Sequence, residues 1–392
     1  MRPEHKRLQI TKALVGFVAA GAARHLDRLP REHQMREVGA LHREIFPFNQ
    51  SLLGEARLLV EGRSCRWTLS NGRVLITPFL VYAVRLPFDY EGVVGYSEVS
   101  EAITIDEAIE MVAILRGTPE RIVPGSACKC DFLDMAPTES DRSFSDVTNS
   151  RLTSEQTLVP VLYVMEFDPW VETADELLRQ YARELVAIRN LTVGQADLLD
   201  SDHIRRSTRE DAHPFVYGVT LFSPVCTVEF HPRSTLTAVE REQGSLEKHH
   251  IREWTFLTGL LLVIALARTA MSGDSRRLDA LLSRERSTNL FKGLFELTRL
   301  SGHRRAIAAR LHIYRNVDLP RREYMRDILE RAREAFGLEG LYLTIRDKLN
   351  DLANDINALY SAYLTTAAFI LGIVTAVLAA LAVLQGVVKR DP

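Results

Sequence analysis

The sequence predicts an α+β N-terminal soluble region, then an all-α region whose long stalk helix continues into one C-terminal transmembrane helix. Three observations carry that prediction. Short β-patterned runs bounded by turn residues fill the first half of the chain, and from Thr235 onwards the apolar residues recur at helical spacing. Between Asp355 and Lys389 there is no Asp, Glu, Lys or Arg. The expected divisions are 1–234 (α+β, with 118–156 as a mobile loop), 235–336 (helical), 337–363 (stalk) and 364–388 (membrane helix).

Within the first region, basic residues precede the apolar run Ala13–Ala23. Leu14, Phe17 and Val18 lie at helical spacing there, so the run reads as an amphipathic helix ending near Pro30 rather than as a cleaved signal. "CRWTLSNGRVLITPF" reads as a hairpin, with Trp67 and Leu69 before the turn, Val74 and Ile76 after it, and Asn71-Gly72 supplying positive φ. Leu158 to Phe167 reads as a buried strand, and "FVYGVTLFSPVCTVEF" as two more, broken near Pro224. Thr173 to Asn190 places Leu177, Tyr181, Leu185 and Ile188 on one helical face.

The stretch 118–156 is rich in Ser, Thr, Asp and Pro and reads as the mobile loop. It holds Cys128-Lys129-Cys130-Asp131, which without a second Cys pair is not a zinc site; His203, His213, His231, His249 and His250 are scattered along the chain. No metal and no cofactor is therefore expected. With Cys65 and Cys226 the cysteines number four, too few and too irregular for a disulfide framework. Free thiols in a reducing compartment are expected.

In the helical part, Thr255 to Ala267 is an apolar run of thirteen residues, short for a span. It reads as a buried core helix, with a re-entrant or second membrane segment as the alternative. Leu364 to Val388 is longer: 25 residues, about 37 Å as a helix, flanked by Tyr360 and Tyr363 and by Lys389-Arg390. It reads as a single-pass C-terminal anchor in a lipid bilayer. Basic residues on its two sides balance, and without a signal the bulk of the chain is expected in the cytoplasm.

Before the anchor, Leu338, Tyr342, Ile345, Leu349, Leu352, Ile356, Leu359 and Tyr363 make a heptad seam. Its partner is either a second copy or the helix around Tyr324–Phe336 folded back through Gly337. Asn350, Asn354, Asn357 and Ser361 form a stripe beside it, fixing register or facing water. Ala368, Gly372, Ala376 and Ala380 recur every fourth residue, a ribbon that permits close helix approach in lipid. A homo-oligomer is the expectation.

The pattern "YMRDILERA…IRDKLNDLANDINALYSAYLTT", from Tyr324 to Val388, resembles the CorA-type magnesium transporters: a soluble domain, a stalk helix and a membrane helix continuous with it. The family's Gly-Met-Asn signature and second membrane helix have no counterpart. With no family motif matched, the resemblance carries over no functional residues; if the chain is instead a channel or membrane-perturbing effector whose associated terminal helices form a pore, Thr365 and Thr375 are the pore-lining candidates and Asn354 and Asn357 ring the mouth.

Composition excludes little: 46% hydrophobic and 26% charged residues describe a chain that buries a core, and the net charge of −2 gives no reason to expect a nucleic-acid partner. Locally, Arg299 to Arg333 carries ten Arg and no Lys. Arg304, Arg305, Arg310, Arg321 and Arg322 are the candidates for an anionic ligand, or else they pair with the acidic runs Glu98–Glu110 and Glu166–Glu176. A straight stalk would hold this patch roughly 45 Å from the lipid. No phosphate-binding loop, metalloprotease helix or nucleophile elbow occurs, and paired acids such as Glu107/Glu110 and Asp200/Asp202 read as solvated surface. The classes left are a membrane-anchored sensory or assembly protein that oligomerises, a channel or membrane-perturbing effector, and a membrane-tethered enzyme without a recognisable motif.

Overall fold

The first strand, β1 (Gln9–Ala22), lies where an amphipathic helix was expected. Ala13, Val15 and Val18 are wholly buried, so both faces of the strand are covered. Two-sided burial erases the alternation that marks a half-buried strand, and Ala and Gly add no β-propensity. The computed structural model describes residues 7–22, 56–86, 90–117, 129–132, 157–192, 199–209, 218–233, 237, 246–283, 290–315 and 323–388. Most of the expected loop 118–156 falls outside them.

The remaining strands are β2 (Ala56–Thr68), β3 (Val74–Leu86), β4 (Tyr90–Val99), β5 (Ile103–Thr104), β6 (Lys129–Phe132), β7 (Thr157–Asp168), β8 (Val219–Leu221) and β9 (Thr227–Phe230). They form one sheet in the order β6-β2-β3-β4-β1-β7-β9-β8, with β5 pairing β1. Among the described residues only β7 and β9 run parallel. The β2–β3 hairpin turns at Asn71-Gly72 as expected, Gly72 taking φ 81°. The helices are α1 (Ile105–Leu115), α2 (Ala174–Asn190), α3 (Ser201–Arg209), α4 (Leu246–Leu282), α5 (Leu290–Arg315), α6 (Glu323–Ala335) and α7 (Leu338–Val388).

The chain divides into two compact units, each discontinuous: Met1–Ala270 with Asp318–Glu339, and Met271–Val317 with Gly340–Pro392. In the first, α1 and α2 join one face of the sheet in a continuous core that includes Val15, Phe17, Leu162, Val164, Ile109 and Leu185. A bulge between Ile10 and Ala13 keeps β1 in that core, so that Ile10 and then Ala13, Val15 and Phe17 point the same way.

The opposite face receives the first part of α4. Trp254 packs edge-on against Tyr96, with ring centroids 5.3 Å apart, and the Thr269 hydroxyl donates to the Ala20 carbonyl at 3.2 Å. Glycine makes this approach possible. A Cβ at Gly16 would sit 2.9 Å from the Trp254 ring and collide with the Gly95 carbonyl, and a Cβ at Gly92 would overlap Leu262.

In the second unit, Asp274 near the end of α4 is buried and takes a two-pronged ion pair from Arg310 of α5, at 2.6 and 3.1 Å. Lys348 of α7 donates to Asp279 at 2.7 Å and to Ser275 at 2.8 Å. Along α7, Ile345, Leu349 and Leu352 are buried within the chain, and Tyr363 lies against Gly293 of α5. From Leu364 to Val383 every residue is exposed.

Candidate functional site: a buried histidine cluster

The expected site residues are spread out. Arg304 and Arg305 are exposed on α5, while Arg310 is engaged with Asp274. Arg321 and Arg322 lie outside the described residues. Asn354 and Asn357 are exposed on α7. Thr365 and Thr375 are exposed too, and their hydroxyls donate to the Ser361 and Leu371 carbonyls of their own helix, at 2.9 and 2.8 Å. Ten residues apart, they lie about 80° out of line at 100° per residue.

His231, His249 and His250, scattered along the chain, come together in the fold. The parallel register of β7 with β9 sets Tyr163 beside Glu229, and a backbone bond from the His231 amide to the Val164 carbonyl carries the pairing one residue on. His249 and His250 enter from the first turns of α4. The ring centroids lie 6.1 Å apart for His231–His249, and 5.7 Å for both His231–His250 and His249–His250. Tyr163 underlies the group, 4.8 Å from His231 and 5.8 Å from His250, with its hydroxyl 3.1 Å from His250 Nδ1. His231 Nε2 is 2.9 Å from Glu229 Oε1, and Glu229 Oε2 accepts from the Thr220 hydroxyl at 3.3 Å. All these side chains are buried.

Burial sets the electrostatics. It pushes His231 down to about 3. His250 is likewise pushed down to about 3 by burial, then by the neighbouring His231, His249 and Lys12. Tyr163 is raised well above the ordinary phenol range by burial, then by Glu229 and Glu253. At neutral pH His231 and His250 are therefore uncharged. The rings meet edge to face or tilted, and among the described residues no group of three or more His, Cys, Asp or Glu is arranged to hold a metal ion. Three buried imidazoles beside Glu229 can take up protons.

Two other expectations are overturned. Glu107 and Glu110 are buried rather than solvated, and they clasp the β2–β3 turn. Glu110 accepts from the Ser70 amide at 2.8 Å and also from its hydroxyl; Glu107 accepts from Asn71 at 2.8 Å and Arg73 at 3.1 Å while closing a capping box with Thr104. Burial raises the Glu107 carboxyl, but the Thr104 amide, Asn71 and Arg73 outweigh it and leave it below its ordinary value. Asp200, by contrast, is an exposed cap that accepts from the Asp202 and His203 amides of α3.

The second correction concerns the thiols. Cys65 on β2 and Cys130 on β6 form a buried disulfide, and only Cys226 is a free cysteine among the described residues. The stretch around Cys130 is an edge strand because Lys129–Phe132 pairs with Cys65–Thr68. No family model, curated protein or solved structure matches this chain.

Proposed function

We propose that this chain is a membrane-anchored sensory or binding protein, held in the bilayer by the last half of α7. One observation carries the reading. Phe369, Ile370, Leu371, Ile373 and Val374 span about 200° of the helix circumference and each is 47–69% exposed, and the rest of Leu364–Val383 is exposed as well. Water does not tolerate such a surface, whereas lipid does. The exposed ribbon Ala368, Gly372, Ala376 and Ala380 supports self-association of these segments, because small residues let helices approach in lipid. The stalk seam supports it less, since its first half is already buried within one chain.

The test compares the full chain with a version ending at Tyr360, both extracted from membranes with high salt and then alkaline carbonate. The full chain should stay in the pellet and the shortened chain should leave it. A shortened chain that still resists extraction would refute the anchor and turn attention to α4. Conductance across planar bilayers, expected to be absent, separates an anchor from a pore.

A further inference from the structure

We propose that the histidine cluster is a proton-operated latch holding the first turns of α4 on the sheet, an inference resting on the sensory reading of this unit. Three imidazoles within 5.7–6.1 Å of one another can share a closed site only while most of them are neutral. The groups facing them come from five strands and one helix. From β7 there is Tyr163, from β8 Thr220, and from β9 Glu229. From α4 there are Glu253 and the two histidines themselves. From β1 there is Lys12, paired at 3.3 Å with Glu98 of β4. Glu229 lies in contact with His231 and can balance one added proton. A second proton has Lys12 nearby, and His249 and His250 sit at the helix end where the backbone dipole disfavours a cation. Relief comes only by exposing the rings to water, and α4 begins at Leu246, so its first turns are the part that can lift.

The direction of the effect follows from proton counting. Opened histidines titrate near 6.5, and the closed His231 and His250 near 3. Between those values the open form holds protons that the closed form excludes. At pH 5 His250 alone multiplies the opening equilibrium by about 30, and His231, whose added proton Glu229 can balance in the closed form, adds less than that. Above pH 6.5 the latch is fully closed.

The experiment is hydrogen exchange read by mass spectrometry on the full chain in lipid nanodiscs at pH 7.5 and pH 5.0, corrected for the intrinsic pH dependence of exchange. Opening of residues 246–258 should rise at least about 30-fold at the lower pH, with α2 of the same unit rising far less. The double variant His231→Gln, His250→Gln should reduce the rise to tenfold or less. If that variant does not fold, His250→Asn alone should remove about 30-fold of it. Equal protection at both pH values, an equal rise in α2, or an undiminished rise in the variants would each overturn the latch. Carbonate extraction of the membranes from which the chain is purified scores the anchor separately. Pellet retention with pH-independent protection refutes the latch alone; a pH-dependent rise in a chain that washes off refutes the anchor alone.

Discussion

Two helices among the described residues are long and apolar enough to cross a membrane, and their surroundings differ completely. Of the apolar stretch in α4, 67% is buried inside the protein; of that in α7, none is. Leu261, Leu262 and Ala265 of α4 are enclosed where glycines on β1 and β4 let a helix approach, whereas Gly372 of α7 has nothing within 4 Å of where its Cβ would be. Apolarity alone does not name a helix's solvent. What distinguishes the two is whether the rest of the chain supplies a complementary surface. Here that surface is a sheet face kept low by Gly16 and Gly92.

Charge insertion breaks the comparison most sharply. Leu261→Arg buries an unpaired cation and should abolish folding of the sheet unit while leaving the chain in the membrane fraction. Val374→Arg with Leu378→Arg should do the reverse, because each Arg near the centre of a membrane helix costs about 3 kcal/mol on insertion scales. Circular dichroism and carbonate extraction of both variants read the two outcomes. If Leu261→Arg also releases the chain from membranes, α4 is part of the anchor.

Gly16→Val is next. Its new side chain meets the Gly95 carbonyl, Tyr96 and Trp254, so thermal melts should show a loss of about 3 kcal/mol. Removing the disulfide with Cys65→Ala and Cys130→Ala should cost about 2–4 kcal/mol in the same assay, and in the native protein neither cysteine should react with maleimide before reduction. Arg310→Gln leaves a buried Asp274 without its two-pronged partner and should cost about 2 kcal/mol, in the helical unit only. Gly372→Ile should not move the melting temperature at all. It should lower the mass of the detergent-solubilised particle, and a native particle already at one 44.3 kDa chain plus detergent would remove self-association.

The elements legible in the sequence were those governed by local chemistry. Asn71-Gly72 forces a hairpin, Thr173 caps α2 by accepting from the Glu176 amide, and a charge-free run finishes α7. Those that were missed depend on partners distant in the chain. The glycines of β1 look like helix breakers or loose turns until Trp254, more than two hundred residues on, is seen to rest against one of them. His231 and His249 meet only because a parallel crossover brings β9 beside β7. The doublet His249-His250 just before an apolar helix was the one local hint. Glu107 and Glu110 are acids on a helix face until a turn some 35 residues upstream folds over them.

The outer strands of the sheet bear on how this protein behaves in concentrated solution. β6 has four residues and β8 three, and among the described residues β6 covers only Cys65–Thr68 of the strand beside it. β2, just inside β6, has thirteen. The sulfur–sulfur link is what ties the short cover strand to the long one. A reductant strong enough to open it in partly unfolded molecules would free Cys65–Thr68 as well and leave the whole of β2 as a template for strand-to-strand association. Preparations of the sheet unit are then expected to cloud on ageing with reductant and to stay clear without it.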